Sequence, residues 1–346
     1  MQPVPSQPRQ RRHWFINLLL APVFVYFLFV AGWLMARTIY EDRWWWLFLL
    51  NAGTPYLLLP LPFTLLLALI VRRPLAIAFS ILLLVPGAPL LAAPWMSFVA
   101  SNVAASSSEF RVMTFNINGA NDRPDRVIAA IREARADIVA LQELNPYIAA
   151  ALKHDLKNDY PYQTLDPQWG VTGMGVISRF PLRRSAAQLP GEHWIGAPQA
   201  VEIDTPGGTI TLLNVHAIPP VGPRDRMTWA ISERERQAEA IAAFARNRRT
   251  PLVVAGDMNA TPFHRAYRIL ESELIDVWRK HGRGAGFTWP GGQRTLFGVP
   301  LPSWLVRIDY IFISDDLTCV NASVGPWDGF SDHRAVVATL VVGRND

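Results

Sequence analysis

Three long apolar segments crowd the first 104 residues and constrain this chain more than any other feature. Residues 14–36, WFINLLLAPVFVYFLFVAGWLMA, run without a charge, and about 20 such residues suffice to cross a bilayer as a helix. The run exceeds the roughly 7–15 apolar residues of a cleaved signal peptide. Two further segments follow at 44–71 and 75–98, so the expected form is an all-α membrane region of about three spans, 14–98. The second segment contains Asn51, Pro55, Pro60 and Pro62 and is expected to kink or break. Trp44, Trp45 and Trp46 at its start suit the aromatic belt of a membrane interface.

The flanking charges give an expected orientation. Arg9, Arg11 and Arg12 precede the first span, and Arg72 and Arg73 separate the second from the third. Basic flanks stay in the cytoplasm, whereas the loop at 37–43 has only Arg37 and Arg43, balanced by Glu41 and Asp42. Three crossings then make this a multi-pass protein of the cell membrane, with a cytoplasmic tail at 1–13. A serine-containing linker at 99–109 leads to an extracytoplasmic domain at 110–346. The orientation reverses if the second segment turns back without crossing.

Charge is distributed unevenly. The first 104 residues hold seven arginines and two acids, so the net charge of +5 belongs to them, and the remainder has 26 basic and 26 acidic residues. Binding to duplex nucleic acid generally rests on an excess of Lys and Arg. A formally neutral domain offers none, and a nuclease built on it would need a local basic groove. The only cysteine, Cys319, excludes an intrachain disulfide and reads as a small buried side chain.

After the linker, short apolar runs alternate with helical stretches, the pattern of an α/β domain. RVMTFNI (111–117) reads as a strand, then a helix capped by Asn121 or Asp122 with Pro124 in its first turn. DIVALQE (137–143) and MGVISR (174–179) are strands. Two more flank the Pro-Gly-Gly turn at 206–208, the second ending at His216. A helix at about 228–247 precedes PLVVAG, which runs into Asp257 and Asn259, and the last two strands carry RIDYIFIS (307–314) and AVVATLVV (335–342). Each polar residue at a strand end has an ordinary reading as a turn former. Their recurrence at Asn116, Glu143, His216, Asp257 with Asn259, Asp309, and Asp332 with His333 points instead to a site on one sheet edge.

On these residues the sequence resembles the endonuclease/exonuclease/phosphatase superfamily, the DNase I-like fold. TFNI (114–117), LQE (141–143), NVH (214–216), GDMN (256–259), IDYIF (308–312) and SDH (331–333) occur in the family's order. The first 104 residues lie outside the resemblance. It implies a two-sheet α/β sandwich that hydrolyses phosphate esters with Mg²⁺ or Mn²⁺. Glu143 then corresponds to the principal metal-ligand carboxylate, with Asn116 beside it as ligand or supporting partner and Asp332 as a further ligand. Asp257 corresponds to the residue that orients and deprotonates water, and Asn259 to a phosphate-oxygen contact. Asp309 and His333 correspond to a paired Asp–His, and His216 to a histidine that some branches use as general acid.

The chemistry asks for those residue types in its own right. Phosphate ester hydrolysis builds negative charge that a hard cation on oxygen ligands stabilises, and histidine suits the proton transfers. The glycines at 282–292 lack the strand-to-helix context of a phosphate cradle and read as a flexible loop, within which Phe287, Thr288 and Trp289 resemble a family segment near the site. Arg234 and Arg236 read as solvated surface charge, with a phosphate contact as the sharper alternative. Trp304, Leu305, Phe297 and Leu301 make an apolar loop that suits a pocket wall, a membrane surface or plain packing. The expected substrate is an extracytoplasmic phosphodiester or phosphomonoester, including lipid headgroups. A membrane-anchored nuclease on DNA or RNA is the alternative, and a non-catalytic receptor or scaffold retaining the fold is disfavoured because every expected position is filled.

Overall fold

The computed structural model describes residues 8–93, 108–292, 295–296, 299–300 and 302–343. Residues 1–7 of the tail, 94–98 of the third segment, 99–107 of the linker, and Phe297 and Leu301 lie outside the described residues. The chain divides into two compact units, Met1–Pro94 and Trp95–Asp346.

The first unit is helical: α1 (Pro8–Tyr40), α2 (Trp45–Ala52), α3 (Thr54–Leu58), α4 (Pro60–Ile70) and α5 (Pro74–Ala92). Two helices, over Ala21–Tyr40 and Pro74–Ala92, are long and apolar enough to cross a membrane. The expected break in the second segment is present: α2 and the stretch Thr54–Ile70 meet at 71°. Phe24 and Phe27 pack on Phe79 with ring centroids 6.0 and 6.1 Å apart, and further along, Leu34 and Arg37 share a groove with Pro86 and Leu90. Helices α1 and α5 therefore run parallel. The hydroxyls of Thr64 and Ser80 lie 3.5 Å apart and Gly87 faces Leu61, so α4 runs antiparallel to α5. The broken segment thus leads from the Tyr40 end of this unit back to the end where α5 begins. Freed backbone groups at such a break need partners in an apolar setting. Asn51, beside the break, accepts from Trp33 Nε1 at 3.0 Å and donates to Asp42 at 2.7 Å and to the Glu41 carbonyl at 2.9 Å. Thr54 Oγ1 donates to the Asn51 carbonyl at 2.6 Å.

The second unit comprises, in chain order, β1 (Phe110–Asn116), α6 (Pro124–Ala134), β2 (Ile138–Gln142), α7 (Pro146–Asp155), β3 (Tyr162–Asp166), β4 (Met174–Ser178), β5 (Leu182–Arg184), β6 (Gln199–Thr205), β7 (Gly208–His216), α8 (Arg224–Arg246), β8 (Leu252–Asp257), α9 (Arg265–Glu271), β9 (Ile275–Asp276), α10 (Val277–His281), β10 (Thr295–Leu296), β11 (Val299–Pro300), β12 (Asp309–Ile313), β13 (Leu317–Val324) and β14 (Val336–Val342). One six-stranded sheet has the order β13-β14-β1-β2-β4-β3 and the other β5-β6-β7-β8-β12-β9. Strand alternation sorts the core into layers. Phe110, Val112, Ile138 and Ala140 meet Leu212, Val253 and Ile311 between the sheets. Met113, Phe115, Val139 and Leu141 turn the other way, onto Val127, Ile131 and Ile148 of α6 and α7. Leu213, Val254 and Phe312 pack outward on Ile241 and Ala245 of α8 and on Tyr267 of α9. The result is a DNase I-like α/β sandwich.

Three local differences from the sequence expectation have physical causes. The cap of α6 is Arg123, because Asn121 instead accepts from the Arg123 amide at 3.0 Å and donates to the Ile117 carbonyl and Asp328. Helix α8 begins four residues early, at Arg224, directly after Pro223. Strand β13 intervenes between the two strands expected last, and its register shifts between Cys319 and Asn321, which breaks the alternation that marks a strand.

Polar groups join the sheets beneath the strand ends. Asn214 of β7 donates to the carbonyls of Leu141 and Gly175, each at 3.1 Å, and to Gln199 at 3.2 Å, and accepts from Gln142 Nε2 at 2.7 Å. Asn214 is fully buried, and each buried polar atom left without a partner costs about 1–3 kcal/mol. Asn214→Ala is expected to lower the melting temperature of this unit by several degrees, at about 2–4 °C per kcal/mol for a domain of this size. Calorimetry of the detergent-solubilised chain tests this, and an unchanged midpoint would refute the role of the contact.

Candidate active site

Register brings the candidate residues to one edge of the sandwich. Strand β8 lies between β7 and β12, with Asp257 opposite both His216 and Asp309, so three ionisable groups stand abreast. On the facing sheet Asn116 is level with Gln142, and Glu143 follows directly. Ser331, Asp332 and His333 enter just ahead of β14. Ser331 Oγ donates to the Asn116 carbonyl at 2.7 Å and accepts from the His333 amide at 3.0 Å, which fixes this loop to β1.

The side chains meet across the mouth between the sheets. Asn116 Nδ2 donates to Glu143 Oε1 at 3.0 Å and to Asp257 Oδ2 at 3.2 Å, and its Oδ1 accepts from the Asn118 amide at 3.1 Å. The second oxygen of Glu143 accepts from the Gly119 amide at 2.8 Å. Asp257 Oδ2 also lies 3.5 Å from His216 Nε2 and 3.7 Å from His333 Nε2, and Oδ1 accepts from the Asn259 amide at 2.9 Å. His333 Nδ1 sits 2.9 and 3.1 Å from the two oxygens of Asp309. Asn259 Nδ2 donates to the Ala217 carbonyl at 2.9 Å, which leaves its second amide hydrogen for another acceptor. Asp332 accepts from Asn118 Nδ2 at 2.7 Å and from the Trp289 indole at 3.1 Å.

The backbone is unusual at the same places. Glu143, Asn118 and Asn259 have φ values of +58°, +64° and +49°, the left-handed region that side chains other than glycine and asparagine seldom adopt. Gly119 has a steric reason to be glycine, since a Cβ there would lie 1.9 Å from the Gly170 carbonyl oxygen. That close approach sets the amide that holds Glu143.

Residues 113–333 match the model of the Endonuclease/Exonuclease/phosphatase family. The chain belongs to that family. Its members hydrolyse phosphate esters, and the fold agrees with solved structures. The endonuclease/exonuclease/phosphatase from Bacteroides vulgatus is 19% identical with a TM-score of 0.51, the likeness covering 68% of this chain and 100% of that one. D. rerio TDP2 complexed with a single-strand DNA product is 16% identical with a TM-score of 0.51, covering 68% and 99%. The 3′ phosphatase NExo from Neisseria, bound to a product DNA hairpin, is 19% identical with a TM-score of 0.50, covering 66% and 98%. No curated protein matches this sequence.

In this family member the edge is crowded with charge. Burial, then the neighbouring Asp309, pushes the Asp257 carboxyl up to about 8 against the pull of His333. Burial also raises Glu143, opposed by its bonds to Asn116 and Gly119. Burial works against a charged His333, but Asp309 and Asp257 outweigh it and hold the imidazole up at about 10. His216 goes the other way: burial and the adjacent His333 charge push it down to about 3, so it is neutral.

The structure gathers all eight residues named from the sequence at this edge. It adds Asn118, Gly119, Ser331 and Trp289 as their direct supports. Trp289 carried a signal in the Phe287-Thr288-Trp289 segment and Ser331 in the SDH segment; Asn118 and Gly119 carried none, since they act through a contact more than 200 residues apart in sequence and through a backbone amide. Arg234 differs from expectation, since it is 2% exposed rather than a solvated charge, whereas Arg236 is exposed and pairs with Glu233. In metal-free protein His333 is expected to keep its proton through pH 8, and Asp309→Asn to bring its titration below that. Histidine NMR across pH 5–11 measures both, and a titration near the ordinary value of about 6.5 in the unsubstituted chain would contradict the ion pair.

Proposed function

We propose that this chain is a membrane-anchored, divalent-metal-dependent phosphoesterase that hydrolyses an extracytoplasmic phosphodiester or phosphomonoester. The observation that carries the reading is the Asn116 amide joining Glu143 of one sheet to Asp257 of the other, beside the Asp309–His333 pair, in a family of phosphoester hydrolases.

The donor set fits a hard cation. Four carboxylates converge around one imidazolium, and Glu143 and Asp257 are both pushed up by burial. Asp257, Asp309 and His333 offer ligand atoms within 4.8 Å of one another. Because His333 Nδ1 is spent on Asp309 and Mg²⁺ prefers oxygen, we assign the metal to Glu143 and Asp332 instead. Glu143 keeps oxygen lone pairs beyond those used by Asn116 and Gly119. Asn116 holds Glu143 in place through Nδ2, and its Oδ1, which accepts from the Asn118 amide, keeps a second lone pair that a cation could take. Bound there, Mg²⁺ or Mn²⁺ supplies charge stabilisation for the phosphoryl oxygens.

The chain's own groups then divide the work. The Asn259 amide pins one oxygen of Asp257, and the other faces the mouth, placed to orient water and take its proton. Asn259 offers its remaining amide hydrogen to a phosphate oxygen. His333, kept charged by Asp309, sets Nε2–H against the negative charge that builds as the ester breaks. His216 is neutral, so it contributes a hydrogen bond rather than the acid proton that the family resemblance implied.

Hydrolysis of a generic phosphodiester by the full chain is expected to need a divalent cation and to be lost on Glu143→Ala. Asp257→Asn and His333→Ala are each expected to lower kcat by about 10²–10⁴-fold. Full activity in EDTA would remove the metal from this reading, and losses of two- or three-fold would move the chemistry to other residues. A nuclease on DNA or RNA is the second reading, favoured by the DNA-bound members of the fold, and cleavage assays at stated salt separate the two.

For topology we propose a cytoplasmic tail at 1–13, spans at about 14–36, 44–71 and 75–98, a linker at 99–109 and an extracytoplasmic catalytic domain at 110–346. The parallel course of α1 and α5 supports a second segment that crosses back. A reporter active only outside the cytoplasm is expected to work after Asp346 and stay silent after Arg73. A silent, expressed C-terminal fusion would place the enzyme in the cytosol.

A further inference from the structure

Seven large apolar side chains stand exposed among the described residues of the second unit: Tyr147, Tyr162, Trp169, Val171, Val221, Trp229 and Trp327. Single exposed hydrophobics are ordinary, but these are not scattered. All except Tyr162 follow strand ends on the edge that carries the site.

Their backbones are tied to the site itself. Trp169, 73% exposed, and Val171, 47% exposed, belong to the loop between β3 and β4. In that loop Gly170 abuts Gly119, the donor to Glu143, and the Gln168 amide donates to the Leu144 carbonyl at 3.0 Å. Val221, 56% exposed, lies five residues beyond His216, and Trp229 stands on the second turn of the helix that follows. The ring of Trp229 meets His193 edge-on at 5.1 Å, and the nearby Ile195 amide donates to the His216 carbonyl at 3.1 Å. Trp327 donates its indole hydrogen to the Ser331 carbonyl at 2.6 Å, two residues before His333, while 40% of the residue faces solvent.

We propose that Trp169, Val171, Val221, Trp229 and Trp327 form an interfacial rim that seats the mouth of the site on a phospholipid surface, so that the substrate is a lipid phosphate ester. The proposal rests on the phosphoesterase reading and narrows its substrate. Tryptophan, apolar in body with one polar hydrogen, is favoured at the membrane interface. The occupant is a bilayer rather than a polyanion for two reasons. The same chain carries helices apolar enough to cross a membrane, and the residues after 104 have no excess of positive charge, which a nucleic-acid groove needs alongside stacking aromatics.

The full chain in phosphatidylcholine–phosphatidylglycerol nanodiscs allows the test. The one native thiol, Cys319, is buried, so a cysteine placed at Trp169 or Val221 labels selectively, and Tyr162→Cys reports the opposite edge. A fluorophore at 169 and 221 is expected to be quenched by doxyl-labelled phosphatidylcholine and one at 162 not. Equal quenching at all three, or none, overturns the rim. Independently, Trp169→Ser with Val221→Ser is expected to lower the rate on vesicle phospholipid, relative to a soluble aryl phosphodiester, by about tenfold, and Trp169→Phe to retain most of it. An unchanged ratio overturns the proposal while leaving the hydrolase standing. Failure to hydrolyse even the soluble ester with added Mg²⁺ or Mn²⁺ sinks the phosphoesterase reading, and the quenching result still judges the rim. Loss of single-stranded DNA cleavage instead, with lipid untouched, would make these residues a base-stacking platform and also overturn it.

Discussion

Two apolar sheets packed face to face could slide over one another at little cost, because dispersion and the hydrophobic effect are not directional. Side-chain amides remove that freedom here. Asn214 takes carbonyls of the opposite sheet as acceptors, and Asn116, one level closer to the edge, reaches Glu143 and Asp257 together. The distance between the two carboxylates is therefore set by hydrogen bonds of defined length and direction. Everything chemical at the edge inherits its geometry from that alignment.

The same arrangement concentrates charge. Parallel pairing of β7 with β8 and antiparallel pairing of β8 with β12 set His216, Asp257 and Asp309 side by side, and closure of the sandwich adds His333 from the other sheet. Each of the two histidines answers a different environment. His333, hydrogen-bonded to Asp309, holds a proton; His216, buried and next to that positive charge, does not. A pair of imidazoles with opposite protonation at one pH is a product of placement, since the two side chains are chemically identical.

Much of this was legible in the sequence because polar residues at the ends of apolar strands interrupt an otherwise hydrophobic run. Glu143, His216, Asp257 and Asp309 stood out in that way. The α6 and α7 faces were equally plain, through Val127, Ile131 and Ile148. Edge strands were not: β3 is half-buried after its exposed first residue and β5 mostly exposed, so no buried alternation marks them, and the bulge at Cys319–Asn321 disguised β13. A support such as Asn118 was invisible because its partner Asp332 lies more than 200 residues away. Burial of Arg234 likewise depends on the packing of a whole helix, which local charge pattern does not report. In the first unit prolines announced the break, but the direction of α1 and α5 came only from contacts at two levels, Phe24 and Phe27 with Phe79 and Leu34 with Leu90.

The left-handed backbone at Glu143, Asn118 and Asn259 sets the fold and the site at odds. Such conformations cost of order 1–3 kcal/mol for residues with a side chain, and glycine would relieve them. Asp257 and Asp309, adjacent and buried, add electrostatic repulsion that apolar residues would abolish. Selection for thermal resistance alone would therefore erode this edge first, trading its glutamate and asparagines for glycine and its aspartates for aliphatic side chains. A hardened descendant of this protein would be recognisable by an intact sandwich whose rim had gone chemically silent.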